Sequence, residues 1–233
     1  MAHRGRRSAG GPRRSGRVRR VVKVPLTPPE SFVTGPSHLR EYSGPLWRVY
    51  RSAGEHAGTW NALRHHGPVP GMRFDPHPPP PGDHPTVGVL YAATDAVTSL
   101  GETYQRRRVV DCVQNAPRLV GWRPSRPLTL LDLTGQWPVH NGAAAAIQMG
   151  SKRATQAWAR AIEERLGSID GLWHLSAITG KPVVTLFSRV EREPAFPSRP
   201  SFDRALNDVT ADAVVLVAAQ RLGFAVLGDL SPR

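Results

Sequence analysis

One cysteine, Cys112, is all that this chain of 233 residues contains, so a disulfide framework and a zinc site built on cysteine thiolates are both excluded. Long apolar runs are missing too. Nothing approaches the roughly 20 residues that a membrane-spanning helix needs, and the N-terminus lacks the apolar core of a secretory signal. The chain is therefore expected to be cytoplasmic and to have no membrane contact. No glycine-rich phosphate loop of the common dinucleotide or nucleotide-triphosphate type is present, which disfavours an ordinary Rossmann or P-loop enzyme. The paired zinc histidines of a His-Glu-x-x-His helix are also absent. His65, His66, His77 and His84 lie in loop-like stretches without other ligand types nearby, so they are read as surface residues and no metal is expected.

Acidic residues are scarce, 18 against 31 Lys plus Arg, but the resulting formal charge of +13 is unevenly spread. Residues 1–23 hold eight Arg and one Lys with no acid, leaving only +4 for the rest. With Gly and Ser between the arginines and no hydrophobic pattern, this run is expected to be disordered and to attract polyanions without sequence preference. No helix-turn-helix, zinc-finger or RNA-binding aromatic signature accompanies it. Residues 24–45 remain loop-like, so the expected organisation is a basic arm over 1–40 and one folded domain over 41–230.

Inside that domain, "PLWRVYR" (45–51), "PLTLLDL" (127–133), "GLWHLS" (171–176) and "KPVVTLFSRV" (181–190) read as strands, the last two forming a hairpin about "AITG". A helix is predicted over 154–166, with Ala154, Trp158, Ala161, Ile162 and Leu166 on its buried face. "HPPPPGDHP" (77–85) reads as a stiff polyproline excursion on the surface, and "ADAVVLVAAQRLGFAVL" as a short helix leading into a last strand. The fold class is α+β, with a mixed and mainly antiparallel sheet.

"GVLYAATDAVTSLGETY" (88–104) starts as a buried strand and continues as a helix, with Thr94 as a candidate N-cap. Val97, Leu100 and Tyr104 form its apolar stripe, and Glu102 falls opposite with Asp95, Thr98 and Ser99. By periodicity alone Glu102 is a solvated surface carboxylate.

Several polar residues nevertheless sit beside or inside apolar runs: Arg48 in "LWRVY", Arg73 in "GMRFDP", Tyr91 in "VLYAATDAVTSLGET", Glu102 in the same block, and Ser176 in "DGLWHLSAITGKPVVTLF". In this order, from about Leu46 to Leu227, they resemble the RES domain, which takes its name from Arg, Glu and Ser. The resemblance implies a fold similar to that of ADP-ribosyltransferase toxins and a bacterial toxin paired with an Xre-type antitoxin. It also implies NAD as substrate, cleaved at the nicotinamide–ribose bond with phosphate, water or a protein side chain as acceptor. Glu102 would then oppose the positive charge that develops on the ribose, and Arg48 and Arg73 would grip the pyrophosphate. Tyr91 would stack on nicotinamide, and Ser176 would bond ribose or phosphate. Met72, Asp75 and Ala177 stand where the family has Gly, Asn and Arg, and Asp75 is expected to place a repulsive charge near the pyrophosphate. Two other classes stay open: an inactive NAD-binding protein that acts by interaction, and a nucleic-acid-associated protein that uses its basic arm.

Overall fold

Short apolar runs rich in strand-forming residues build one large sheet, because runs such as 89–93 and 182–187 are apolar on successive residues and bury both faces against two different layers. The computed structural model describes residues 24–228; the run 1–23, expected to be disordered, lies outside the described residues. The first half comprises β1 (Leu39–Tyr42), β2 (Leu46–Arg51), β3 (His66–Gly67), β4 (Gly82–Asp83), β5 (Val89–Ala93), α1 (Ala96–Tyr104), β6 (Val109–Asp111) and β7 (Pro117–Trp122). The second comprises β8 (Leu128–Asp132), α2 (Trp137–His140), α3 (Lys152–Arg165), β9 (Gly171–Leu175), β10 (Pro182–Phe187), α4 (Arg189–Arg192), β11 (Phe202–Ala205), α5 (Val209–Leu222) and β12 (Ala225–Leu227).

Eight strands form the main sheet in the order β1-β8-β9-β10-β5-β2-β7-β11. Every pairing in it is antiparallel except β8 with β9. The expected α+β class with a mainly antiparallel sheet is thus what forms. β2 and β5 meet only at Trp47 and Ala93, so the sheet splays there into two parts. Beside the gap, Arg64 takes over as the neighbour of β5, exchanging both backbone hydrogen bonds with Val89.

Three apolar clusters follow from this layout. One lies between Leu131, Leu172 and Phe187 of the sheet and the Trp158 face of α3. The second covers the opposite face, with Leu46, Leu90, Val184 and Trp122 under the loops that carry Leu63 and Ala195. The third joins Leu119 of β7 to Leu100 of α1 and Val215 of α5. Ser151 caps α3 by accepting from the Ala154 backbone at 3.2 Å, and the stripe read from sequence is the one buried.

Three expectations need correction. The boundary at residue 40 is too late, since Val24 and Phe32 pack into the first cluster. The indoles of Trp158 and Trp137 donate to the Pro25 carbonyl and the Thr34 hydroxyl. A segment poor in regular structure can still be folded when its backbone groups find such partners. The segment starting at residue 77 is not wholly an excursion, because His77 is fully buried. The last helix is not short: α5 runs for 14 residues.

Candidate active site

Tyr91 is the half-buried middle residue of β5, and two residues past that strand Asp95 turns the chain into α1. Its carboxylate, rather than the Thr94 hydroxyl, caps the helix, accepting from the Thr98 backbone at 3.0 Å. Thr94 instead stays tied to β10 through the Pro182 carbonyl. Thr98 and Ser99, expected on the wet side, are buried, because α1 is wedged between the sheet and α5 and has little free surface. Glu102 lies on the same side, half-buried, and is not solvated at random. Its Oε1 accepts a short 2.5 Å hydrogen bond from the Ser176 hydroxyl, and its Oε2 accepts from the Gln105 amide at 3.0 Å. The Ser176 oxygen in turn accepts from the backbones of Ile178 and Thr179 at 3.1 Å each. The β9–β10 turn therefore orients the serine, and the serine orients the carboxylate.

The register of the sheet locates the other residues. Ser176 follows β9, and period two puts His174 and Leu172 on its face; these pair with Val183 and Thr185 of β10, which pair with Ala93 and Tyr91. Tyr91 and Ser176 thus share a face, four residue steps or about 13 Å apart along the strands. Such a spacing suits an elongated ligand rather than a small anion. The Tyr91 hydroxyl is buried and, among the described residues, has no hydrogen-bond partner. Burial, with the nearby Asp75 charge, pushes its pKa far up, against the opposing pull of Arg64.

Arg73 is half-buried with its Nε unpartnered among the described residues. Arg48 is not brought to this face. Its partner strand residue is Val120 of the second cluster, and its guanidinium donates to the carbonyls of Trp60 and Ala62 at 3.2 and 3.1 Å. Burial lowers its pKa to about 10, which leaves it charged at neutral pH.

Asp75 also departs from expectation. It is fully buried and neutralised, accepting from Arg64 at 2.8 Å, from the Val69 backbone at 2.8 Å and from the His77 ring at 2.5 Å. His77, read as a surface histidine, is the other half of this buried pair, held because Asp75 accepts a hydrogen bond from its Nδ1–H. Sequence reading missed Arg64 because it stands in the unpatterned stretch 52–86, and His77 because "FDPH" looks like loop; His174, inside "GLWHLS", was passed over. A signal for His174 existed, since strand period two aligns it with Ser176.

Burial alone would raise the Asp75 pKa, but His77, the Val69 N–H and Arg64 together bring it down to about 2 from an ordinary 3.8. The stabilisation is complete above about pH 4, the unfolded value, and is lost as pH falls through the folded value. Wild type is thus expected to lose about 2 kcal/mol between pH 5 and pH 2 from this residue. Melting curves in that window should be flatter in pH for Asp75→Asn, which starts less stable. Equal slopes would show that Asp75 carries none of the acid sensitivity.

Beside the Glu102–Ser176 pair opens a groove of about 530 Å³, lined by Thr98, Gln105 and Ala177 and by the cations Arg108, Lys181 and Arg221. Asp95 meets Lys181 at 3.6 Å. Among the described residues no group of three or more His, Cys, Asp or Glu could hold a metal, and no helix is long and apolar enough to cross a membrane.

The molecule is an α+β protein in which a serine-held carboxylate on α1 stands over the sheet face that carries Tyr91 and His174, whose buried polar atoms have no partner among the described residues. The family model of the RES domain matches residues 45–207, and the chain belongs to that family. The family match thus agrees with the resemblance carried by the Tyr-to-Glu and Ser segments. Among solved structures, a chain of the M. tuberculosis MbcT–MbcA toxin–antitoxin complex is similar, with 17% identity, a TM-score of 0.49, and coverage of 79% of this chain and 91% of that one. No curated protein matches the sequence.

Proposed function

We propose that this protein is an NAD-consuming, toxin-like enzyme that breaks the nicotinamide–ribose bond. The observation that carries the reading is the Ser176–Glu102 hydrogen bond, which holds a carboxylate in one orientation beside an open groove. Departure of nicotinamide leaves oxocarbenium-like positive charge on the ribose, and a fixed carboxylate stabilises that charge without reorganising. Tyr91 lies about 13 Å along the same face, beyond the reach of a nicotinamide whose ribose meets Glu102, so in this reading its ring serves the adenosine side of the dinucleotide instead of the nicotinamide, and the pyrophosphate falls to Arg73, since Arg48 is engaged with two carbonyls on the other face. Membership of the RES family supports NAD as substrate and an Xre-type antitoxin as partner. The acceptor, whether phosphate, water or a protein side chain, enters through the cationic groove. The nucleic-acid reading depends on residues 1–23, which lie outside the described residues.

The test is to incubate purified protein with NAD, with and without inorganic phosphate, and to quantify nicotinamide and the ribosyl product by mass. Nicotinamide release is expected, with ADP-ribose, its 1-phosphate or a protein adduct identifying the acceptor. No release under any of these conditions, with NAD still bound, would favour the inactive NAD-binding alternative. Ser176→Ala is expected to slow release about tenfold, because Glu102 stays but loses its orienting donor; equal rates would deny the serine that role.

A further inference from the structure

Resting on the reading of this face as an NAD site, we propose that His174 is a further ligand-binding residue there. Its Nδ1–H and the Nε–H of Arg73 would both donate to one anionic oxygen of the dinucleotide pyrophosphate. His174 lies two residues before Ser176, on the face that also carries Thr185 and Tyr91. Its Nδ1 and the Nε of Arg73 are both buried without a partner among the described residues. Orphaned buried donors are costly, and two of them in one neighbourhood are accounted for by a ligand acceptor.

The tautomer follows from Thr185. That residue is fully buried, and its hydroxyl lies 2.9 Å from His174 Nε2, its only hydrogen-bond partner among the described residues. A buried hydroxyl proton needs an acceptor, so Thr185 donates, Nε2 accepts, and the ring proton stays on Nδ1. The ring is neutral at physiological pH. Burial pushes its pKa down to about 4; the Leu175 backbone carbonyl, near the ring but outside hydrogen-bonding geometry, opposes this and the Arg73 charge assists it. A neutral imidazole still donates from Nδ1, and it does so without adding a second buried cation beside Arg73.

Phe74 holds the ring in place, its centroid 4.7 Å from that of His174 at an interplanar angle of 50°. Phe74 has φ of +52°, a conformation costly for a bulky residue, and it persists because the ring is wholly buried in the first cluster. This turn sets the Phe74 ring against the imidazole and leaves the adjacent Arg73 beside it.

The experiment compares His174→Gln, whose amide reaches the Nε2 position and keeps the Thr185 contact, with His174→Asn, whose amide nitrogen takes the Nδ1 position. Binding of NAD, ADP-ribose and nicotinamide riboside is measured by calorimetry, with melting temperature as the control for folding. His174→Gln should weaken NAD and ADP-ribose roughly tenfold or more, as expected for losing a hydrogen bond to a charged group. His174→Asn should stay within about threefold, and neither variant should alter nicotinamide riboside, which has no phosphate. Equal weakening by both variants, or Gln binding as tightly as wild type, overturns the assignment while leaving the NAD reading intact. A wild type that binds no dinucleotide at all overturns both.

Discussion

Glu102→Gln is expected to lower nicotinamide release by about two orders of magnitude or more while the protein melts at nearly the same temperature. The loss is the size typical of removing one transition-state electrostatic contact. Glutamine keeps the shape of the side chain and can still accept from the Ser176 hydroxyl, and the Gln105 amide can turn to offer its oxygen to the new NH₂. What disappears is the negative charge that opposes the developing cation on the ribose. Because that charge matters most in the transition state, NAD affinity should change far less than turnover. Rates and melting curves measured side by side decide it. An unchanged rate in an active wild type would end the catalytic assignment and return Glu102 to an ordinary helix carboxylate.

Gly171→Ala should produce the largest loss of stability, about 3 kcal/mol or more. A Cβ at this position would stand 2.0 Å from the Thr185 carbonyl oxygen and 2.9 Å from the Leu186 Cα. Both are backbone atoms of β10, the strand that pairs with β9 through Gly171 and Leu172, so neither can swing aside as a side chain would. Relief requires the central β9–β10 pairing to open, which would also displace His174 and Ser176. At about 2–4 °C per kcal/mol for a chain of this size, melting should fall by roughly 6–12 °C. Activity should fall even where the variant remains folded. Gly167→Ala is the control, since nothing lies within 4 Å of its Cβ position, and it should melt like wild type. A Gly171→Ala variant that matches that control would show that the sheet yields more easily than its registry implies.

The strands at 46–51, 128–132, 171–175 and 182–187 were legible because each is a short apolar run rich in strand-forming residues and of strand length. The α3 stripe was legible because five apolar residues recur at helical spacing before Gly167. β7 and β11 were not anticipated, since "PRLVGW" and "FDRA" lack clean alternation and gain their status from pairing with β2 and with each other. The burial of Thr98 and Ser99 was hidden for a related reason. A helix covered on two sides buries polar residues that a one-sided amphipathic pattern assigns to water.

The family, the α+β class, and the set Arg48, Arg73, Tyr91, Glu102 and Ser176 were written in local residue order, because strand and helix periods and short motifs are properties of neighbours in the chain. Which of these residues meet was not. Glu102 and Ser176 are 74 positions apart, and their hydrogen bond exists because the β9–β10 turn folds up beside α1. Arg48 faces away from Tyr91 because Trp47, not Arg48, pairs with Ala93, and a one-residue register choice decides the face of every side chain in a strand. Asp75 is not an unpaired charge beside the site because the Arg64 guanidinium pairs with it and the His77 ring hydrogen-bonds to it, both folding inward from either side in the chain. Contacts of this kind depend on long-range packing and on satisfying buried charge, which only the assembled tertiary structure can determine.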